Sequence, residues 1–244
     1  MYGPDVLLRM AVQFVVAFGA AMVLTTMLQV LVVRIVTPPW TLTMVQEGWE
    51  AGRLPKRRVR SLERMGEHGP RAIVASEDAR FFLHDGFDNE AICTAVRDAW
   101  NGKRLRGAST ISQQVAKNVF LWGGRSFRRK VLEAWYTFWL EALVPKKRIL
   151  EIYLNVAETG PLTFGLEAGA RHHFGKRAAE LSRSEAGRLA GILPNPARNV
   201  SGKAAWERAT WIASHPAPYP GDRWFERVEA AWEREGHSLV SCLF

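Results

Sequence analysis

An uninterrupted apolar run near the N-terminus constrains the fold more than any other feature. Residues 11–33, AVQFVVAFGAAMVLTTMLQVLVV, carry no charge and lie between Arg9 and Arg34. A helix of this length, rising about 1.5 Å per residue, crosses a hydrocarbon core of roughly 30 Å. The run is longer than the apolar region of a cleaved signal peptide, and it is too uniformly apolar for a core helix. We therefore expect residues 1–37 to form an uncleaved, single-pass membrane anchor.

The residues after the anchor divide into a connector and one domain. A Pro-Pro pair ends the apolar helix, and residues 38–61 are expected to form a basic juxtamembrane connector. In residues 62–244 the apolar spacing is mostly helical, and alternating strand patterns are few. This length suits a single domain with its own core. We predict an all-α domain whose chemistry-bearing motifs lie within residues 77–176, followed by a C-terminal tail at about 200–244.

The charge balance indicates an anionic partner. The chain has 33 basic and 24 acidic residues and a net charge of +9. Such a balance favours nucleic acid, anionic lipid or a phosphate-bearing substrate. Ten Trp and twelve Phe residues favour contact with a membrane interface over nucleic acid. By charge counting alone, the side that follows the anchor would be cytoplasmic, because most of the nearby Arg and Lys residues lie there.

The first motif, EDARFFLHDG, places two adjacent carboxylates after an apolar stretch. If residues 72–85 form one helix, Glu77, Phe81 and His84 share a face and Asp78 lies on the neighbouring stripe. A carboxylate beside an aromatic surface has its charged form disfavoured, which suits a general base. Surface carboxylates paired with nearby arginines are the simpler interpretation of the motif by itself.

The second motif, RGASTISQQVAKN, predicts the start of a helix. Thr110 followed by Gln113 is a capping-box pattern, and the adjacent Ser109 hydroxyl adds to the exposed N–H groups of the helix start. Gln114 and Lys117 are neighbours one turn apart and can face one ligand. A helix cap alone would not explain so many polar side chains within ten residues.

A cationic cluster follows in GGRSFRRKVLEAW, formed by Arg125, Arg128, Arg129 and Lys130, with Glu133 one turn further on. Ordinary ion pairing along a helix is the simplest interpretation. Glu133 also begins an aromatic-rich stretch, which places it at the edge of a cleft. Cations beside a carboxylate suit a diphosphate, bound directly or through a bridging Mg²⁺ or Mn²⁺.

A fourth motif, KKRILEIYLN, follows a proline at a helix start and is almost solidly apolar. It is interpreted as a buried structural helix in which Glu151 is satisfied in place. No phosphate-binding loop, zinc-protease or serine-hydrolase signature is present, and no organic cofactor is expected.

These stretches together resemble the glycosyltransferase domain of peptidoglycan synthases, the lysozyme-like transglycosylases found alone or fused to penicillin-binding transpeptidases. Five motifs match in order: EDARFFLHDG, GASTISQQVAKN, RRKVLE, KKRILEIYLN and GLEAGARHHFGK. The match covers roughly residues 62–200, and the string around the second motif is most similar to the monofunctional biosynthetic peptidoglycan transglycosylases of Gram-negative bacteria. No transpeptidase motif occurs in the sequence, and a transpeptidase domain is not expected in the remaining length.

The resemblance implies a lysozyme-like, bilobal helical domain that polymerises lipid II into β-1,4-linked glycan strands and releases undecaprenyl diphosphate. It implies an inverting hexosyltransferase in which Glu77 deprotonates the acceptor hydroxyl and Glu133 stabilises the leaving group, directly or through a metal. The implied substrate-binding residues are Asp78, His84, Ser109, Thr110, Gln114, Lys117, Arg125, Arg129 and Lys130. One departure is His173, where the family usually has a tyrosine, and it puts the local packing in question.

Location and partners also follow from the resemblance. Lipid II and the lipid-linked growing chain are presented outside the cytoplasmic membrane. The catalytic domain is therefore expected in the periplasm, on a single-pass anchor in the cell inner membrane, against the charge count. Long domains translocate largely regardless of charge. The sequence leaves open which cell-division or elongation proteins bind, and nucleic acid is not expected.

Two other functions stay open at this stage. A lysozyme-like lytic hydrolase would also use carboxylates, but it has no need for a cationic cluster or a lipid-side anchor. A non-catalytic basic membrane protein that binds anionic lipid or nucleic acid would explain the charge and the anchor. It would leave the polar STISQQ run unexplained.

Overall fold

The computed structural model describes residues 4–102, 109–124 and 126–193, and helices dominate these ranges. The helices are α1 Pro4–Ile35, α2 Leu42–Glu50, α3 His68–Glu77, α4 Asn89–Trp100, α5 Ile111–Phe120, α6 Phe127–Leu143, α7 Lys146–Val156, α8 Leu166–Phe174 and α9 Arg183–Ile192. Short 3₁₀ turns lie at Leu62–Arg64, Phe81–Leu83 and Ala178–Glu180. The strands are β1 Lys56–Arg57, β2 Glu158–Gly160 and β3 Thr163–Phe164.

Helix α1 contains the predicted membrane anchor. It has 32 residues, which corresponds to about 48 Å at the usual rise per residue. Within the described ranges it is the one helix long and apolar enough to cross a membrane, and most of its side chains are exposed. An exposed apolar surface on this scale fits a single-pass membrane anchor.

The C-terminal half of α1 packs against the domain. Thr26 and Val30 are buried there. The indole N–H of Trp135 donates to the hydroxyl of Thr26 at 3.0 Å. The hydroxyl of Tyr136 donates to the side-chain oxygen of Gln29 at 2.6 Å. These contacts join α1 to α6 through side chains, in addition to the covalent link along the chain.

Two arginines extend this junction. The Arg34 guanidinium donates to the carbonyl oxygen of Leu143, the last residue of α6, at 2.8 Å. Arg148 of α7 donates to the carbonyl oxygen of Val33 at 2.9 Å. Both cations therefore satisfy carbonyl groups at the C-terminal end of a helix, where partial negative charge accumulates.

The segment expected to be a plain connector contains structure of its own. Thr41 caps α2 by accepting from the N–H of Met44 at 3.2 Å, and Met44 is fully buried. Strand β1 pairs in parallel with β3, which pairs antiparallel with β2. Neither α2 nor this small sheet was predicted. Strands of two and three residues are too short to show an alternating pattern. Where the domain begins along the chain stays a prediction.

The core forms where α5 packs between α6 and α7 and where α3 packs on α9. Helix α7 is the buried structural helix that was predicted, since Ile149, Leu150 and Ile152 are fully buried. Glu151 is satisfied in place, because its carboxylate accepts the N–H of Leu62 at 2.8 Å and pairs with Arg148.

The prediction of one helix over residues 72–85 is wrong. Helix α3 ends at Glu77, and Asp78 leaves the helical conformation with φ −162° and ψ 76°. A separate 3₁₀ turn follows at Phe81–Leu83. The break has a tertiary cause: the Asp78 carboxylate accepts hydrogen bonds from Ile111 and His84, as described below, which the local spacing does not reveal. Glu77 and His84 therefore do not share one helix face.

Candidate active site

Glu77 is the last residue of α3 and is half-buried. The amide nitrogen of Gln114 donates to its Oε2 atom at 3.2 Å. The carbonyl end of the same amide accepts the hydroxyl of Tyr153 at 3.1 Å. The Gln114 side chain of α5 thus joins α3 to α7. Gln114 is within reach of Glu77 because α5 begins where the capping box places it.

Asp78 and His84 form a buried pair behind Glu77. Both oxygens of Asp78 lie within 3.0–3.1 Å of His84 Nε2, and the N–H of Ile111 donates to Oδ2 at 2.9 Å. The N–H of Gly86 donates to His84 Nδ1 at 3.1 Å. Because Nδ1 accepts, the ring proton lies on Nε2 and is donated to Asp78. This pair ties the turn after α3 to the first turn of α5.

Gly86 is a junction that has no room for a side chain. Its φ is +87°, and a Cβ atom there would lie 2.7 Å from Thr137 Cγ2 and 2.8 Å from Glu141 Cγ. Its carbonyl oxygen accepts the hydroxyl of Thr110 at 2.6 Å. The same hydroxyl accepts the N–H of Gln113, which confirms the predicted capping box. Glycine meets both the conformational and the steric requirement.

A cavity of about 430 Å³ opens beside Gln114. The polar and charged side chains that line it are Thr43, Glu47, Gln114, Lys117, Asn118, Arg129, Tyr153 and Glu158. Gly123 and Gly124 contribute backbone, and Val156, Ala157, Phe164 and Leu193 contribute apolar surface. The predicted face of Gln114 and Lys117 therefore does meet a common space.

The cations at this cavity are held partly out of water. Burial lowers the pKa of Lys117, as do the charges of Arg129 and Lys130, while the carboxylates of Glu133 and Glu77 act in the opposite direction. Arg129 donates to the carbonyl oxygen of Trp122 at 3.4 Å. Among the described residues, its buried Nε–H has no hydrogen-bond partner. A desolvated cation with an unused donor is suited to an anionic ligand.

Glu133 is buried, with 4% of its surface exposed, and it contacts the ammonium of Lys130. Lys130 Nζ also lies 3.5 Å from the hydroxyl of Ser109. Thr137 one turn later donates to the Glu133 carbonyl at 2.7 Å. The structure thus joins the second motif to the cationic cluster. Arg125 lies outside the described residues.

The side chains around Glu133 do not fit a divalent cation held by the protein alone. Within the described ranges, no group of three or more His, Cys, Asp or Glu side chains could hold a metal ion. Glu133 is already paired with Lys130, and it lies in the field of Lys117. A divalent cation here would need several oxygen ligands that Glu133 alone does not supply.

Two carboxylates at the other side of the cavity were missed by the sequence interpretation. Burial, and secondly the negative charge of Glu47, raise the pKa of Glu158 to about 7. Burial, and then the charge of Glu50, raise the pKa of Glu47. Glu158 follows an apolar helix directly, and nothing in its sequence neighbours indicates the carboxylate of Glu47 more than a hundred residues earlier.

Replacing Glu158 by glutamine should therefore stabilise the protein in a pH-dependent way. The unfolded carboxyl has the ordinary pKa of 4.5 and the folded one about 7, so the native state binds the extra proton between these values. Stability from this group is highest below about pH 4.5, falls as pH rises and stays low above about pH 7. Glu158→Gln has no carboxyl group to ionise, so it avoids this loss of stability at higher pH. We expect its thermal midpoint to exceed that of the wild type more at pH 8 than at pH 5.

The matched control for this measurement is Glu63→Gln, since Glu63 is an exposed glutamate. It should show no stabilisation that grows towards pH 8. Equal changes of the Glu158→Gln midpoint at both pH values would contradict the raised pKa.

His173, the one departure noted in the sequence, makes a specific contact. Its ring Nε2 lies 2.6 Å from the carbonyl oxygen of Thr159, so that nitrogen carries the proton and donates. The bond fastens α8 to strand β2. Histidine at this position therefore has a packing function that accounts for its polarity.

The predicted site residues that the structure describes fall into three groups. Gln114, Lys117 and Arg129 line the cavity, and Glu77 joins it through Gln114. Lys130, Glu133 and Ser109 form a second cluster coupled to Lys117. Asp78, His84 and Thr110 bond to the framework that supports these groups. Their assignment as substrate-binding residues stays a prediction.

Comparison with known proteins gives this arrangement its context. A family model described as Transglycosylase matches residues 46–216, most of the chain. The chain belongs to the transglycosylase family. The predicted all-α, lysozyme-like class with one N-terminal membrane helix is confirmed by this membership and by the helices described above. The family match begins inside α2, within the segment that had been interpreted as a connector.

Several similar proteins carry the name biosynthetic peptidoglycan transglycosylase. One from Xylella fastidiosa is 47% identical over 202 residues, covering 80% of this chain and 78% of that protein. One from Pseudomonas aeruginosa is 44% identical over 234 residues, covering 94% and 91%. One from Shewanella oneidensis is 46% identical over 182 residues, covering 73% and 74%. This transglycosylase is thus similar to them over most of its length.

Proposed function

We propose that this transglycosylase polymerises lipid II into β-1,4-linked glycan strands and releases undecaprenyl diphosphate. The observation that carries the proposal is the placement of Glu77 within hydrogen-bond reach of Gln114, whose cavity is also lined by Lys117 and Arg129. A candidate base next to desolvated cations suits the transfer of a sugar from a diphosphate leaving group. Similarity to proteins named biosynthetic peptidoglycan transglycosylase supports the same function.

In this mechanism Glu77 acts as the general base. Its carboxylate takes the proton of the acceptor's 4-hydroxyl as that oxygen attacks the anomeric carbon of the donor. The new carbon–oxygen bond forms while the bond from that carbon to the diphosphate oxygen breaks, with inversion. The Gln114 N–H holds Oε2 of Glu77 in place, so the carboxylate is oriented before the substrate arrives.

Cationic side chains stabilise the departing diphosphate. Lys117 and Arg129 line the cavity, and the buried Arg129 Nε–H has no partner among the described residues. Negative charge that develops on the leaving oxygens would be met by donors already held out of water. The Glu133 carboxylate contacts Lys130, and its charge opposes the lowering of the Lys117 pKa, which favours the charged form of Lys117.

The substrate and the anchor support a membrane location. Lipid II carries a polyprenyl chain, and α1 is apolar and exposed along most of its length. We propose a single-pass protein of the inner membrane whose domain faces the periplasm. A reporter active only in the periplasm, fused after Phe244, should be active. Activity confined to a cytoplasmic reporter would refute the orientation and support the charge count.

The direct test of the function is incubation of the purified full-length protein with labelled lipid II in detergent. Gel separation should reveal a ladder of glycan polymers, and lysozyme should digest it. The matched negative control is the Glu77→Gln variant. Absence of polymer from folded wild-type protein would overturn the proposal, and cleavage of preformed glycan would favour a lytic hydrolase instead.

A further inference from the structure

Tyr153 is a polar side chain without a role in the mechanism above. Its surface is 1% exposed, and it lies within the otherwise apolar helix α7. Its hydroxyl reaches the cavity, where it donates to Oε1 of Gln114 at 3.1 Å. A tyrosine that served only to fill the core would not require this bond, because phenylalanine fills the same volume.

The direction of the hydrogen bonds is fixed by chemistry. An ionised carboxylate only accepts, so the end of the Gln114 amide that faces Glu77 must be its NH₂ group. The carbonyl end then points to Tyr153, and the tyrosine hydroxyl must donate. A rotation of the amide by 180° would place its carbonyl oxygen against the Glu77 carboxylate. Tyr153 therefore donates to Gln114 at 3.1 Å, and Gln114 donates to Glu77 at 3.2 Å.

Tyr153 keeps its proton throughout the working pH range. Burial raises the pKa of its phenol well above 10, and the negative charges of Glu77 and Asp78 raise it further. The hydroxyl is therefore a permanent donor towards Gln114. It does not ionise to a phenolate, which could only accept and would favour the rotated amide.

We propose that Tyr153 is a positioning residue that locks the Gln114 amide so that its NH₂ group holds Glu77 in the orientation for proton abstraction. The inference rests on the proposed function, because it assumes that Glu77 is the base. Tyr153 does not touch the substrate in this view. It acts on the carboxylate through Gln114, one hydrogen bond away.

The test is Tyr153→Phe in the full-length protein, which removes one oxygen atom and keeps the ring. Without the hydroxyl the amide can rotate, and Glu77 loses its donor for part of the time. We expect kcat to fall about 10-fold, because the carboxylate is less often oriented for proton abstraction, with KM little changed. The acidic limb of the kcat–pH profile should move to higher pH, because a hydrogen bond to the charged form of the base has been weakened. Lys117 and Asp78, the other charged groups coupled to this cluster, are retained.

The chain offers a matched control in Tyr136→Phe. Tyr136 also donates its hydroxyl to a glutamine side-chain oxygen, that of Gln29, at 2.6 Å. This bond joins α6 to the anchor and is not connected to Glu77. The control should keep the wild-type kcat and the wild-type acidic limb when both proteins are assayed in the same detergent.

A second variant, Gln114→Met, tests the relay from its other end while Tyr153 stays in place. It should show a loss at least as large and the same shift of the acidic limb. Combining Tyr153→Phe with Gln114→Met should add no further loss in kcat, because the hydroxyl has nothing left to position. Additive losses, or a normal pH limb in Tyr153→Phe, would overturn the proposal.

One readout does not depend on activity. In protein labelled at the glutamate carboxyl carbon, the titration midpoint of Glu77 should rise in Tyr153→Phe and stay unchanged in Tyr136→Phe. If wild-type protein made no polymer, the proposed function would fail, while a shifted midpoint would still support the relay. If wild-type protein polymerised lipid II and Tyr153→Phe did so equally well, the relay alone would fail.

Discussion

Glu77→Gln should lower the turnover of this transglycosylase by about 10²- to 10⁴-fold. The substitution keeps the shape of the side chain and removes the group that accepts the proton. Because the proton moves only in the transition state, KM for lipid II should change little. The measurement is steady-state polymerisation by full-length protein, with folding checked by circular dichroism.

Glu67→Gln is the matched control for this experiment. Glu67 precedes the same helix at its opposite end, and its side chain is 67% exposed. It should retain wild-type turnover. Near-normal polymerisation by a folded Glu77→Gln variant would refute the assignment of Glu77 as the base.

Glu133→Gln should give the second-largest loss of activity, and it should change the pH dependence of kcat/KM. Burial already lowers the pKa of Lys117, and the Glu133 carboxylate opposes that shift. Removing the carboxylate should lower the pKa of Lys117 further, because an opposite charge that favours the ammonium form is lost. A larger share of Lys117 is then neutral at alkaline pH. We expect kcat/KM to fall about 10- to 100-fold, and its alkaline limb to move to lower pH.

The control is Glu141→Gln on the same helix. Glu141 also has a nearly buried side chain, 8% exposed, and pairs with Lys146 at 2.8 Å, but it does not line the cavity. Its loss should affect stability while leaving the alkaline limb in place. An unchanged alkaline limb in Glu133→Gln, at any level of activity, would contradict the coupling to Lys117.

Local patterns predicted those parts of the site that depend on neighbours along one helix. The Thr110 capping box and the shared face of Gln114 and Lys117 follow from spacings of three residues, and the structure has both. The pairing of Lys130 with Glu133 follows from the same rule. Helical geometry fixes these relations before any tertiary contact forms.

Contacts between distant segments account for what was missed. Asp78 ends its helix because Ile111, 33 positions later, donates to its carboxylate. Tyr153 lies in an apolar run, so its spacing predicts core and says nothing of its bond to Gln114. Glu158 has its raised pKa because it is partly buried and, secondly, because α2 brings the charge of Glu47 near it. Periodicity reports which face of an element is apolar, and it carries no information on which polar groups meet across the core.

The packing of α1 against α6 also bears on the thermodynamics of meeting a membrane-bound substrate. An enzyme domain joined to its membrane anchor by a flexible linker must lose rotational freedom in every encounter before its site faces the lipid headgroups. Here the Trp135–Thr26 and Tyr136–Gln29 bonds orient the domain against its own membrane helix. That loss of freedom occurs once, when the chain folds. Each later encounter in the plane of the membrane then begins with the domain already oriented relative to its own membrane helix.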